Sequence, residues 1–499
     1  MILPSLVFST HYCLVITLVL VVAAIRRWIR RRVEPPGPFC VPFLGYLPLL
    51  FDERQIGEIG SELYKTYGPI CQVQKGEVTM IILCTSQMIR EAFKRSDFAS
   101  VSPSIVVDIL RGAGAGYFTA ANGPVWQKSR RVALHAISQF NSSRNAKLEQ
   151  NVHQCLQWLL NRWQDGAGTI SVRTRDDLTK CTAAVMASLT FGSQADPEDQ
   201  FLSKLFKIIE DYQSERARFA WVPETFPSLS LLMAEEKRKL IEKYRIFVNY
   251  VMDTVLAYKP NDEICTIADS IYRAEAELTQ SEKTLFQKDD IKRIAIDLYD
   301  GAVFPTAGNL EWLLLFMACH PDIQEKVHRE IDSHVDPNEL PNLREHWDSL
   351  IYSRACVSEA LRWVTFFVRS IPRQMEQDTK FEGYILRKGS LVVPVYYCAN
   401  HAGSDFENHE SFQPERFVTS DGKFDQSKSE EIISFSTGKR RCPGEAMSKQ
   451  QIFLMFTAIL QRFELKLDRA SVEGDPLRGI PMTLSLIPCD HRIYFMSRK

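Results

Sequence analysis

The segment that most constrains this chain is FSTGKRRCPG, Phe435 to Gly444, which leads into a long helical pattern from Glu445 to Leu465. Pro443 suits a first helical turn, because its missing N–H would have no intrahelical partner there. Cys442 is then expected at a helix N-terminus, facing the positive end of the helix dipole. Lys439, Arg440 and Arg441 add positive charge, and both effects lower a thiol pKa toward the thiolate, the form that ligates a metal. Gly438 permits a tight turn, and Gly444 permits close backbone approach to something flat. The plain alternative is a cysteine beside a solvated basic turn. The spacings taken together argue against it.

Bulk properties exclude several other chemistries. The chain has 499 residues, 45% apolar and 24% charged, a composition able to build a large core. A net charge of −1 gives no overall attraction to nucleic acid. The ten histidines form no HExxH and the twelve cysteines no CxxC, which argues against zinc. Scattered cysteines also suit a reducing compartment better than a disulfide framework.

The N-terminus predicts a membrane anchor. Leu6 to Ile25 is an apolar run of about the length that crosses a bilayer as a helix. Arg26, Arg27, Arg30, Arg31 and Arg32 follow at once, which places the N-terminus outside and the body in the cytoplasm. The charges sit on the wrong side for a cleaved signal peptide, and no small-x-small cleavage site precedes them. We therefore expect an anchor over 1–25, a basic and proline-rich linker over 26–47 (with Pro35, Pro36 and Pro38), and one body over 48–499. Within the body, Gln72 to Thr85 reads as a strand pair turning at Gly76, and Gln374 to Pro394 as a second β region turning at Gly383 and Gly389. The rest is mostly helical, with a polar surface excursion from Asn261 to Asp290.

FSTGKRRCPG resembles the cytochrome P450 haem-binding signature F-x-x-G-x-R-x-C-x-G at every defined position, with Phe435, Gly438, Arg440, Cys442 and Gly444 on the defined residues. The resemblance implies that Cys442 is the axial thiolate of a haem b, whose electron push promotes O–O cleavage, and that Arg440 pairs with a propionate. Four further likenesses follow the family's order. Glu359 and Arg362 with Arg416 resemble its Glu/Arg/Arg core, a structural unit because buried charges must be paired. Trp126 and Arg130 resemble its W-x-x-x-R propionate clamp, and Arg373 falls where it often places another propionate donor. The PPGP hinge and the Phe381 to Gly389 segment complete the likeness, which is greatest to the animal microsomal members that oxidise drugs and other foreign compounds. It implies a mostly α fold with a minor β region, a single large triangular domain behind an N-terminal anchor. It also implies an endoplasmic reticulum membrane location, single-pass with a lumenal N-terminus. Electrons would come from NADPH-cytochrome P450 reductase, with cytochrome b5 as a second donor. Lys128, Arg131, Lys439 and Arg441 are candidate contacts for the reductase.

One departure matters. Where the family's central helix carries an acid and an alcohol that organise proton delivery, this chain has Phe304 and Pro305. Neither side chain holds an exchangeable proton. Pro305 also removes a helix hydrogen bond and is expected to kink the helix. Thr306, one residue on, is the remaining candidate proton donor, and Ala302, Phe304 and Pro305 are expected to line the substrate pocket. The leading function is an O2-dependent monooxygenase acting on an apolar small molecule of xenobiotic, steroid or fatty-acid type. Alternatives are a same-fold isomerase or dehydratase acting on a lipid peroxide without O2 or reductase, and a non-catalytic haem-containing sensor or carrier. RGAGAGYF, Arg111 to Phe118, fails the context of a dinucleotide loop and reads as a flexible loop bordering the substrate cavity.

Overall fold

The computed structural model describes residues 33–51, 56–102, 105–116, 119, 121–138, 140, 146–193, 195–219, 225–287, 289–404, 406–481 and 485–498. The expected anchor over 1–25 and the first part of the linker lie outside the described residues.

Six helices frame the site: α1 (Gly123–Ser138), α2 (Ala146–Gln164), α3 (Thr174–Phe191), α4 (Ile294–Cys319), α5 (Ile351–Val364) and α6 (Glu445–Arg462). α4 organises the others. Its second half is apolar on every side, and Trp312 through Met317 have no exposed surface. A helix of that kind is stable in water only when surrounded by protein. It is the one described helix long and apolar enough to cross a membrane, but α1, α3, α5 and α6 pack on it as a core element. Trp312 donates from Nε1 to Leu486 O at 3.0 Å, so even its polar atom is satisfied inside.

The minor β region lies to one side. β1 (Ile70–Lys75) and β2 (Val78–Leu83) form the expected antiparallel pair, with Gly76 at φ +57° in the turn. β3 (Arg373–Gln374) and β4 (Leu391–Pro394) extend this sheet, β4 running parallel to β2 and antiparallel to β3. Thus Arg373 is held on the edge strand of this sheet.

Two expectations need correction. The pattern read as helix to Leu465 stops at Arg462, and β5 (Phe463–Leu467) begins at once. FELKL alternates buried and exposed residues with a period of two and pairs with β6 (Ile493–Ser497). Nor is 261–290 simply a surface excursion. Residues Ile267–Ala276 form a helix whose Ile267, Ala268 and Ile271 are buried. Its capping box, Thr266 with Asp269, is a helix-start signal hidden within a polar stretch.

His401 shows what the packing demands of a titrating group. Its ring stacks on Tyr397 at 4.2 Å and lies 2.8 Å from Trp363 O through Nε2. Burial, and then the charge of Arg362, push its imidazole down from 6.5 to about 3. The fold therefore favours neutral His401. That contribution is complete above pH 6.5 and is lost as pH falls toward about 3. Melting temperatures should fall with acid below about pH 6, and a His401→Gln variant should show a shallower fall between about pH 6 and pH 4. Parallel pH profiles would contradict this assignment.

Candidate functional site

The Cys442 loop is fixed by backbone geometry before any side chain acts. Ser436 at φ +63° and Gly438 at φ +70° turn the chain, and the Cys442 N–H donates to Phe435 O at 2.9 Å. A Cβ on Gly438 would stand 2.0 Å from Phe93 O, so no other residue fits there. At Gly444 a Cβ would meet nothing within 4 Å, leaving the space beside the loop open. α6 begins at Glu445, so Pro443 occupies the turn ahead of the helix rather than its first turn.

Cys442 itself corrects a sequence expectation. Its accessible surface opens on a cleft of about 440 Å³ that Trp347, Arg354, Arg441, Glu445 and Lys449 also line. Burial pushes the thiol up to about 11, against the Gly444 N–H that bonds it and the charges of Arg130 and Arg441. Glu445 adds to the upward push. The loop's positive charges are real, but lost hydration outweighs them. A thiol that ligates a metal does so as thiolate and gives up its proton.

A set of cations, Arg373 buried and Arg130 and Arg440 half-buried, converges near this loop. The Arg440 guanidinium lies 4.0 Å over the Trp126 ring and donates to Ala99 O at 2.7 Å, Thr119 O at 3.2 Å, Ala121 O at 2.8 Å and Asn122 Oδ1 at 2.9 Å. Burial first, then the neighbouring Arg373, Arg130 and Arg111, lower its pKa to about 9. Arg373 is 4% exposed, donates to Ile371 O at 2.9 Å, and lies over Phe93. Among the described residues no carboxylate pairs with Arg373 or Arg440. Arg130 reaches across from α1 to donate to Arg441 O. The structure therefore brings together Trp126, Arg130, Arg373, Arg440 and the Cys442 loop, which are spread over more than three hundred positions of sequence.

A second buried network holds the loop from behind. Glu359 and Arg362 have no exposed side-chain surface and form a two-pronged pair at 2.7 and 2.9 Å. Arg416 donates to Glu359 Oε1 at 3.2 Å, and the Gln413 N–H to the same oxygen at 2.8 Å. Arg362 also donates to Asn400 O at 3.0 Å. Asn400, a residue that sequence reasoning missed, accepts from the Ile433 N–H at 3.0 Å and donates to Ser434 Oγ at 3.0 Å. The Glu/Arg/Arg group is thus two hydrogen bonds away from the start of the Cys442 loop.

On α4, exposure follows one helical face. Gly301 is exposed and Ala302, Phe304, Pro305 and Gly308 are half-buried, whereas Val303, Thr306, Ala307 and Leu310 are buried. Gly301, Ala302, Phe304, Pro305 and Gly308 thus keep accessible surface on a helix against which four others pack, and α4 continues as helix through Pro305. Thr306 lies about 100° further round, and its hydroxyl pairs with Ser448 Oγ on α6 at 3.1 Å. The glycine loop is not loose. Asp297 on α4 accepts the Gly116 N–H at 2.8 Å, and Arg293 donates to Gly114 O at 3.1 Å.

A family model described as "Cytochrome P450" matches residues 35–489. The chain belongs to the cytochrome P450 family. It is 26% identical to "Cytochrome P450 2H1" of Gallus gallus over 96% of both chains, and 28% identical to "Cytochrome P450 2B15" of Rattus norvegicus over 93% of both. It is also 27% identical to "Cytochrome P450 1A1" of Canis lupus familiaris, over 97% of this chain and 94% of that protein. The protein is a cytochrome P450 monooxygenase of the animal microsomal type.

The family implies a haem-thiolate centre, and the residues present fit one. Buried cations require compensation, and Arg373 and Arg440 bond only neutral oxygens here. An anionic group between them would supply it. The cysteine and the open space over Gly444 supply a soft ligand and room for a flat ring. Among the cations considered for a partner protein, Arg131 and Lys439 are exposed, but Lys128 is committed to Glu282 at 2.7 Å and Arg441 to Glu445 at 2.7 Å.

Breaking the buried network should be costly. Glu359→Gln leaves two buried guanidinium groups short of their anion, and should cost about 3–5 kcal/mol in unfolding free energy. Chemical denaturation with tryptophan fluorescence measures this, and a loss under about 1 kcal/mol would count against the network's structural role.

Proposed function

We propose that this P450 binds haem b through Cys442 and oxidises an apolar small molecule with electrons from NADPH, delivered by cytochrome P450 reductase. Buried Arg373 and half-buried Arg440, which no carboxylate pairs among the described residues, beside an accessible cysteine carry this reading. Arg130, Arg373 and Arg440 would hold the propionates, Trp126 backing Arg440, while Phe435, Gly438 and Gly444 shape the loop around Cys442. When bound, a thiolate-ligated haem supplies the electron push that favours O–O cleavage. The protein's own residues do the rest. Arg440 orients, because its guanidinium plane is set by Trp126 and three backbone carbonyls. The half-buried apolar face of α4, with Ala302, Phe304 and Pro305, excludes water and selects apolar ligands of xenobiotic, steroid or fatty-acid type.

Exposed Arg131 and Lys439 suit an acidic reductase or cytochrome b5, since complementary charge steers encounter. The N-terminal run Leu6 to Ile25 would anchor the protein once in the endoplasmic reticulum membrane, with its N-terminus lumenal and its body cytoplasmic. The relatives do not favour a peroxide isomerase, although Phe304 and Pro305 leave the cavity face of α4 without an acid or alcohol there.

Two outcomes test the reading. Reductase, NADPH and an apolar probe should drive O2 uptake, whereas anaerobic turnover of a lipid hydroperoxide without reductase would replace this reading with the isomerase. Pro305→Thr restores a hydroxyl on the cavity face, and should raise the fraction of NADPH electrons recovered as oxidised product about twofold or more, given that one positioned proton donor contributes about 10²–10⁴ to a proton-transfer step. An unchanged or lower fraction would show that Pro305 does not limit proton delivery.

A further inference from the structure

Thr306 stands next to the residue whose hydroxyl is missing, yet the geometry gives it a different task. Successive helical residues are about 100° apart, so Thr306 lies off the accessible stripe formed by Gly301, Phe304, Pro305 and Gly308. It is 4% exposed, and its Oγ1 is 3.1 Å from Ser448 Oγ. Ser448 lies in the first turn of α6, where its own N–H donates to Gly444 O at 2.9 Å. It is therefore fixed to the turn that follows Cys442. The Thr306 to Ser448 bond crosses between two elements 142 residues apart in sequence.

This tie sits where α4 is weakest. Pro305 has no N–H, so the helix lacks the bond that residue 305 would make to Gly301 O. The Pro305 carbonyl also accepts a side-chain bond, from Asn309 Nδ2 at 2.7 Å. A helix missing a rung in its middle can bend there, and bending would move the cavity face relative to the Cys442 loop. The Thr306 to Ser448 bond, made beside the accessible face, opposes that movement.

We propose that Thr306 is a positioning residue, its hydroxyl bond to Ser448 fixing α4 against the first turn of α6 and so setting the cavity wall relative to Cys442. The proposal rests on Cys442 as the axial ligand. It assigns Thr306 no proton delivery to the cavity.

The test uses Thr306→Val, Ser448→Ala, the double variant and Thr306→Ser, each as holoenzyme. The first readout is the rate at which the reduced carbon monoxide complex loses its thiolate-type Soret band under mild denaturant. Each single variant should lose the band about threefold to tenfold faster than wild type, as expected for one net hydrogen bond. The double variant should be no faster than the faster single, because both remove one interaction. Thr306→Ser keeps the hydroxyl and should restore the wild-type rate. Additive effects, or a Thr306→Val variant with an unaltered rate but poorer coupling of NADPH to product, would overturn the proposal; the latter would give Thr306 a proton-delivery role. The second readout is the unfolding midpoint of the haem-free variants, where the same non-additivity should appear. It does not depend on the ligand at the iron. A wild-type protein that never shows the thiolate band would refute the haem-thiolate reading, while additive midpoints in haem-free protein would refute the tie by itself.

Discussion

The structure depends on one buried carboxylate. Glu359, with no exposed surface, receives two bonds from Arg362, one from Arg416 and one from a backbone N–H. Neither arginine could remain inside without it, because a buried charge left alone costs several kcal/mol. What the network gives in return is placement. Through Arg362 it fixes Asn400, and Asn400 fixes Ile433 and Ser434 by side-chain bonds. The loop that ends at Cys442 therefore starts from a rigid point, and its two positive-φ residues carry the chain from there.

The second constraint is electrostatic and runs the other way. Buried Arg373 and half-buried Arg440 are cations whose bonds go to neutral oxygens, and Arg440 is pulled well below its usual range by lost hydration and by its arginine neighbours. Nearby, burial pushes the Cys442 thiol up. An anionic ring carrying a metal ion would neutralise the arginines and take the place of the thiol proton.

Much of this was legible in the sequence, because the defining residues are local. The Cys442 run, the Glu359 and Arg362 spacing and the Trp126 and Arg130 spacing each lie within one turn or one helix face. The strand pairs and their glycine turns are also local features, and they fell where alternation placed them. What was not legible was long-range. Asn400 and Ser448 act across gaps of 33 and 142 residues, and no local pattern marks them. The direction of the Cys442 shift was misjudged for the same reason: helix ends and neighbouring arginines are visible in sequence, whereas burial is a property of the whole fold. The departure at Phe304 and Pro305 was visible, but the burial of Thr306 and its bond to Ser448 were not.

The most direct measurement of the central claim is the spectrum of the reduced protein with carbon monoxide. The wild type should give the strongly red-shifted Soret band of a thiolate-ligated haem, and Cys442→His should replace it with an imidazole-type band. An imidazole-type band in the wild type, or a thiolate-type band that survives in Cys442→His, would contradict it.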